Sequence, residues 1–234
     1  MKLIITIFVA CLLSGSCTTM KQLEQPGYPD GVSGDTSITQ SLFNDRLSTI
    51  SEDNIQKILD GSYKLPDRLR VAIVKLESNR KRNYYWNDED YLKTQQSYID
   101  LFAGQLNKSG RVTATSVIPD LLLSTSPTFT NLREAAVRMQ SDIVLVYSIT
   151  SDIYSKYKLF SRTDIKAFAT VQLIILDVRT GLIPFSTIVT KDTVSQKRNE
   201  ELDVTEARKR IQNEAILQAI NDIGQKINDW LGKK

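Results

Sequence analysis

The sequence predicts an α/β domain built on a mixed β-sheet of about five strands, with a long C-terminal helix packed on it. Between residues 69 and 149, three strand-like runs alternate with two segments of helical periodicity. Residues 166–194 then hold two further β-rich runs joined by a tight turn. Residues 203–231 repeat apolar side chains every three or four positions. The predicted order of elements is β-α-β-α-β-β-β-α.

The N-terminus predicts a lipoprotein signal peptide over residues 1–16. Lys2 supplies the positive charge that starts such signals, and Leu3 to Leu13 form an apolar run of about 11 residues. This run is shorter than the roughly 20 apolar residues of a membrane-spanning helix. The small residues that follow it end at Cys17, as in bacterial signals after which the mature chain starts at a lipidated cysteine. We therefore expect palmitate and related acyl groups on Cys17 to anchor the protein.

Two alternatives to lipidation at Cys17 stay open at this stage. Ordinary secretory cleavage near Ala10 or Ser16 would leave no anchor, and Cys11 is a weaker acceptor because bulky residues precede it. Thr18 directly follows Cys17, where an aspartate would favour the inner membrane, by resemblance to known lipoprotein sorting. The expected location is therefore the cell envelope, on the outer membrane and facing the periplasm.

Composition divides the mature chain into a tether and one domain. Residues 17–40 are rich in small, polar and helix-breaking side chains without apolar periodicity, which predicts a flexible tether. Residues 41–234 are long enough for a single α/β domain with its own core. Cleavage would leave Cys17 as the last cysteine, so no disulfide is expected. A net charge of +3 is too small to indicate nucleic-acid binding.

The first half of the domain follows from local signals. Ser51 to Gly61 predicts a short helix with one apolar face, and the β-branched run from Leu69 to Leu76 predicts a buried strand. Helical spacing of apolar residues predicts a helix over Asp88–Asn107. A second strand is predicted over Arg111–Ile118, where Pro119 stops it.

The second half adds two helices and three strands. The predicted elements are a helix over Asn131–Gln140, a strand over Ile143–Ile149, strands over Lys166–Val178 and Leu182–Val194, and a helix over Asp203–Leu231. The first of these strands has an alternative in which it continues to Phe160 and forms a protruding hairpin. Gly181 is expected to supply the positive φ of a tight turn, and Pro184 suits a strand start or an edge.

Three short segments carry a resemblance to known envelope proteins. They are Leu132–Ala136, Ser141–Thr150 and Leu176–Gly181, in which a helix leads into a buried strand through Asp142 and a later turn ends in glycine. We name these three segments, with their acidic residues Asp142 and Asp177, the signature. They are similar to segments of the amino-terminal domain of the Tol-system propeller protein, the curli-secretion lipoproteins and the lipoprotein activators of penicillin-binding proteins. The resemblance covers roughly residues 68 to 231 and implies their α/β fold. Tyr147 departs from it, because glycine is common there.

The residue types argue against catalysis. The chain has no histidine, which removes histidine-dependent nucleophile systems and the usual zinc sites, and its ten glycines form no phosphate-binding motif. The carboxylate pairs Glu89–Asp90 and Glu200–Glu201 precede or start helices, where they would favour the positive end of the helix dipole. We therefore expect no enzyme, no cofactor and no metal site.

One loop is the main candidate for binding a partner. It joins the first strand to its helix and mixes three cations with three aromatic rings: Arg80, Lys81, Arg82, Tyr84, Tyr85 and Trp86. Loops at the carboxyl ends of strands line the usual binding crevice of α/β sheets. The alternative is a solvated loop whose Tyr85 or Trp86 covers the end of the sheet. A second candidate is the basic and aromatic hairpin tip formed by Lys156, Tyr157, Lys158, Phe160 and Arg162, with ordinary cross-strand packing as its alternative.

Two function classes follow from these patterns. The first is a membrane-anchored, non-catalytic interaction or assembly module that binds an envelope protein or a glycan and no nucleic acid. The second is a subunit of an oligomeric, curli-type secretion channel to which the 152–164 hairpin contributes. The alternation there fits the channel poorly, because Lys156 and Lys158 share a face with Phe160. Self-association into a homo-oligomer is an open alternative within both classes.

Overall fold

The computed structural model describes residues 42–43, 50–77, 89–124, 126–156 and 164–232. The chain divides into two units, Met1–Val32 and Ser33–Lys234, and the description concerns the second. The predicted signal peptide and tether, residues 1–16 and 17–40, lie outside the described residues. The elements are α1 (Glu52–Asp60), β1 (Leu69–Lys75), α2 (Glu89–Asn107), β2 (Val112–Val117), α3 (Phe129–Arg138), β3 (Ile143–Lys156), β4 (Asp164–Asp177), β5 (Phe185–Gln196) and α4 (Val204–Gly232).

The sheet is mixed and has the strand order β2-β1-β3-β4-β5. Strand β1 runs parallel to both β2 and β3, whereas β3, β4 and β5 are antiparallel to their neighbours. The predicted α/β class, its five strands and the order of elements are confirmed. Gly181 has the expected positive φ of 75° in the turn between β4 and β5, and Pro184 immediately precedes β5.

Strand β3 extends beyond the shorter alternative and continues to Lys156, whereas the part of the longer alternative from residue 157 to Phe160 lies outside the described residues. Its pairing with β4 runs without interruption from Ile143 opposite Asp177 to Lys156 opposite Asp164. The pairing persists because every second residue of β4, including Ile165, Ala167 and Ala169, is fully buried under α4. Apolar burial therefore continues beyond the short strand that ends at Ile149.

Two hydrophobic clusters occupy opposite faces of the sheet. The larger lies between the sheet and the helices α2 and α4, and includes Phe102, Leu145 and Ile223. The smaller lies under α3 and joins Leu132 and Val144. Helix α3 packs on the β1–β3 side, whereas α4 packs on β4 and β5 from the other face. Within the described residues, the face of β4 and β5 that points away from α4 is largely left uncovered.

Two helices differ from their predicted form. Helix α3 begins at Phe129 rather than at Asn131, because Thr128 caps it and shares a capping box with Asn131, whose backbone N–H donates to Thr128 Oγ1 at 3.3 Å. Phe129 also stacks on Phe43, with ring centroids 5.0 Å apart. Helix α1 forms where predicted, yet none of its residues is buried. Within the described ranges, none of the helices combines the length and the apolar character needed to cross a membrane.

The second carboxylate pair has a role other than the predicted one. Glu89 and Asp90 do lie in the first turn of α2, as the helix-dipole interpretation requires. Glu201 instead is bound by the side chain of Arg210 at 2.5 Å and by the backbone N–H of Arg198 at 2.6 Å. It therefore holds the segment before α4 against the helix, which local sequence does not reveal.

Candidate functional site

The residues singled out from sequence lie largely outside the described part of the chain. This is the case for Cys17, for the candidate loop with Arg80, Lys81, Arg82, Tyr84, Tyr85 and Trp86, and for Tyr157, Lys158, Phe160 and Arg162 of the hairpin tip. Lys156 is described as the last residue of β3. Their proposed roles stay predictions. The structure does show the two ends from which the candidate loop starts and to which it returns.

A polar cluster lies where the candidate loop leaves the sheet. The ammonium of Lys75, at the end of β1, donates to Glu77 and to Gln95 of α2, and the hydroxyl of Tyr91 donates to the same Glu77 oxygen. The Lys75 nitrogen also lies 5.6 Å from the centre of the Tyr91 ring. These contacts tie the carboxyl end of β1 to the first two turns of α2.

Tyr147 occupies the core directly beside this cluster. Its ring is 1% exposed and packs against Phe102 with centroids 4.8 Å apart. Its hydroxyl is buried and has no hydrogen-bond partner among the described residues, and burial, reinforced by Glu77, raises the pKa of the phenol. The phenol therefore stays protonated and packs as part of the core.

The acidic residue of the signature, Asp142, binds three strands together. Its carboxylate accepts the backbone N–H of Arg70 at 3.0 Å and two guanidinium N–H groups of Arg70 at 3.0 and 3.1 Å. Arg179, beyond the end of β4, donates to it at 3.3 Å. The Arg70 hydrogen bond is the main cause that lowers the pKa of Asp142 to about 2. A shallow depression of about 360 Å³ borders the three side chains, but both arginines are engaged by this carboxylate.

The second acidic residue of the signature, Asp177, builds the turn between β4 and β5. One carboxylate oxygen accepts the backbone N–H and the hydroxyl of Thr180, each at 2.7 Å, while the other accepts the hydroxyl of Tyr63 at 3.0 Å. Burial and the neighbouring carboxylate raise the pKa of Tyr63. Both signature carboxylates are therefore fully used in holding the fold together.

An uncovered feature of the described domain is a sheet surface on β3, β4 and β5, here named the open face. Alternation of side chains places four rungs of three residues on it, opposite the face that α4 covers. The rungs are Ser148–Gln172–Ile188, Thr150–Thr170–Thr190, Asp152–Phe168–Asp192 and Tyr154–Lys166–Val194.

An aromatic and cationic centre marks one end of the open face. The rings of Tyr154 and Phe168 meet edge to face at 5.7 Å, and the ammonium of Lys166 lies 4.5 Å from the Phe168 ring centre. Lys166 also pairs with Asp192 at 3.0 Å. Tyr154 and Val194 are 57% and 60% exposed although they are large and partly apolar. Rigid aromatic rings beside exposed aliphatic groups are typical of protein-contact surfaces.

The open face was not among the surfaces predicted from the sequence, although the alternation of residues along β4 indicates it. Lys166, Phe168, Thr170 and Gln172 alternate with apolar residues, which indicates one covered and one uncovered face. The sequence of β4 does not indicate on which of its two faces α4 packs. The choice of covered face therefore comes from the tertiary structure.

Comparison with known proteins gives a fold-level likeness only. The chain matches no family model. No curated protein matches it either. Among solved structures, it is 13% identical to a minor lipoprotein from Acinetobacter baumannii, covering 72% of this chain and 93% of that one at a TM-score of 0.34. It is 13% identical to lipoprotein GNA1162 from Neisseria meningitidis, with 69% and 99% covered and a TM-score of 0.33.

A third similar structure is the PelC dodecamer from Paraburkholderia phytofirmans. The identity is 15%, the likeness covers 66% of this chain and 90% of that one, and the TM-score is 0.29. At these identities and TM-scores the likenesses describe those proteins and carry no conclusion about the function of this chain. The function must be argued from its own residues.

Proposed function

We propose that this protein is a lipid-anchored lipoprotein of the cell envelope that acts as a non-catalytic protein-interaction module. The observation that carries the proposal is the open face, a sheet surface three strands wide that ends in the Tyr154–Phe168–Lys166 centre. The Cys17 signal supplies the anchor, and the absence of histidine from the sequence supports a role without catalysis. The carboxylates of Asp142, Asp177 and Glu201 support it further, because structural partners already bind each of them.

The partner that fits the open face is a protein rather than a membrane surface. Its charged side chains are Asp152, Lys166 and Asp192, and Lys166 is already paired, so the face carries no excess of positive charge for anionic headgroups. Exposed Ile188 and Val194 flank these polar groups and offer apolar area. This mixture resembles the composition of a non-obligate protein interface.

Replacing Cys17 with serine is expected to release the protein from the membrane. Without the thiol no acyl chains can be attached, and Cys17 is the anchor that we propose for the mature chain. Fractionation of the envelope, with mass measurement of the mature N-terminus, tests this expectation. Separation of inner and outer membranes in the same experiment tests the predicted outer-membrane location. Unchanged sedimentation with membranes, or a mature N-terminus without acyl mass, would contradict the lipoprotein assignment.

Changing Tyr154 and Val194 together to glutamate is expected to abolish partner contact at the open face while the domain stays folded. Both side chains are more than half exposed, so the charges cost little in stability but oppose an apolar interface. A photo-crosslinking side chain at position 188 in the native envelope, followed by mass spectrometry, reports the contact. The expected result is a discrete adduct with a protein other than a second copy of this chain, and this adduct disappears in the double variant.

The candidate loop supplies the matched comparison. A triple variant with Arg80, Lys81 and Arg82 changed to alanine removes three charges and is expected to leave the adduct at position 188 intact. If instead the triple variant removes the adduct and the open-face variant keeps it, the loop is the binding surface. If neither the parent chain nor the triple variant forms an adduct, the proposal of an interaction module fails.

A further inference from the structure

Strand β5 is a long sheet edge without the features that usually protect one. It has 12 residues, and its pairing with β4 is in continuous register from Gln196 opposite Asp164 to Phe185 opposite Ile175. It contains no bulge and no proline, since Pro184 lies just before it. Among the described residues, no backbone hydrogen bond from another segment reaches its outer edge. Such an edge is a template for pairing with another strand.

The other edge of the sheet shows the contrast. Strand β2 has only six residues, and the register of its pairing with β1 shifts between Leu69 and Arg70. Short length and irregular pairing are common ways of preventing edge-to-edge association. The two edges of one sheet are therefore built differently, and only β5 is regular over its whole length.

The charges on β5 do not protect its edge either. The strand carries one lysine and one aspartate, and both are engaged within the chain. Lys191 binds Asp222 of α4 at 2.5 Å, whereas Asp192 binds Lys166 of β4 at 3.0 Å. Most of the remaining residues are threonine, valine and isoleucine, which favour strand pairing. The edge is neutral, β-branched and regular.

We infer that β5 pairs in antiparallel fashion with β5 of a second copy of this chain, so that two five-stranded sheets become one. The inference goes beyond the proposed function and uses the edge of β5 rather than the open face. Two-fold symmetry makes such an interface self-complementary, because the same strand is used twice. The second copy fits because a neutral edge meets an identical neutral edge without an unpaired charge.

The sequence of β5 selects the register of this pair. A two-fold axis at Lys191 or Asp192 would place like charges directly opposite each other, which is unfavourable. An axis at Thr190 places Thr190 opposite itself, Val189 opposite Lys191 and Ile188 opposite Asp192. This register pairs the strand from Phe185 to Ser195, almost its whole length. We therefore assign the axis to Thr190.

Helix α4 is compatible with this arrangement. It packs on both β4 and β5, and its Asp222 and Lys226 side chains reach Lys191 and Thr187 of β5. With neighbouring strands about 4.8 Å apart, the two symmetric helices would lie roughly 10 Å apart, which is close to an ordinary helix packing distance.

A crosslinking experiment tests the pairing and its register. The variant Thr190→Cys is made in the full-length, membrane-attached chain and treated with a short thiol-specific bifunctional crosslinker. Cross-strand partners lie within reach of such a reagent, so we expect a covalent dimer on reducing gels. Thr113→Cys, on the exposed edge strand β2, is the matched control. This variant and the parent chain, which lacks the introduced cysteine, are expected to give no covalent dimer although both self-associate in the membrane.

Charge substitutions at the axis test whether self-association uses this register. Because Thr190 also lies on the open face, the restoration of the dimer on mixing opposite charges is the decisive measurement. Thr190→Lys and Thr190→Glu each place like charges opposite each other and should weaken self-association about tenfold or more in mild detergent. Mixing the two variants should restore it as a heterodimer. Circular dichroism checks that both stay folded, as exposed substitutions should. A monomeric parent chain, a dimer insensitive to both charges, or failure of Thr190→Cys to crosslink would overturn the inference, whichever partner binds the open face.

Discussion

Replacing Leu145 with aspartate is expected to unfold the domain. Leu145 lies in the middle of β3, is fully buried, and pairs with Ile73 on one side and Ile175 on the other. The substitution removes a core side chain, which costs about 2–5 kcal/mol, and buries a carboxylate that has no cation within this apolar cluster. Together these losses approach the whole stability of a typical domain, about 5–15 kcal/mol.

Circular dichroism and urea unfolding of the variant measure this effect. The control is Leu121→Asp, because Leu121 is 97% exposed and the same change of side chain there should alter the unfolding free energy by less than about 0.5 kcal/mol. A Leu145→Asp protein that is folded and soluble, with a parent-like urea midpoint, would refute the buried position of β3.

Replacing Asp142 with asparagine is expected to lower the unfolding free energy by about 2 kcal/mol. The carboxylate accepts three N–H groups of Arg70 and one of Arg179, and its side chain is only 12% exposed. An amide has the same shape but directs N–H groups towards the arginines. The matched control is Asp192→Asn, whose ion pair with Lys166 is exposed and should contribute at most about 1 kcal/mol.

The same interaction predicts a pH dependence of stability. Because the pKa of Asp142 falls from 3.8 in the unfolded chain to about 2 in the folded domain, its contribution is present above pH about 4 and is lost as the pH falls towards 2. Because solvent screens the exposed arginines, the Asp142 carboxylate contributes only about 1–2 kcal/mol to the unfolding free energy. The difference in unfolding free energy between parent and Asp142→Asn should therefore be constant from pH 7 to 5 and narrow at pH 3. A constant difference over the whole range would contradict the assigned interaction.

Local signals predicted most of the fold, because each element has its own spacing of apolar residues and most elements are ended by a nearby glycine or proline. The buried strand that begins at Leu69, the helix that ends at Asn107 and the turn at Gly181 all follow from residues close in sequence. Element ends were less accurate where a distant residue decides them. Helix α3 starts two residues early because Thr128 caps it and Phe129 stacks on Phe43, far away in the chain.

The proposed interaction surfaces differ in how far local sequence indicates them. The loop around Arg80–Trp86 stays a prediction and follows from cations and aromatic rings that are adjacent in sequence. The open face assembles Tyr154, Phe168 and Asp192 from three strands, and no sequence window contains them together. The edge character of β5 is equally non-local, since it depends on which strand ends the sheet.

The amino-acid sequence by itself determined the α/β class, the order of elements, the expected anchor at Cys17 and the absence of histidine chemistry. These depend on composition, on periodicity and on residues that neighbour each other along the chain. Only the tertiary structure decided that Asp142 and Asp177 hold strands together, that α4 covers one face of β4 and β5, and that β5 is the regular outer strand of the sheet among the described residues. The physical reason is that hydrogen-bond partners, covered faces and sheet edges are set by contacts between distant segments, which local propensity does not encode.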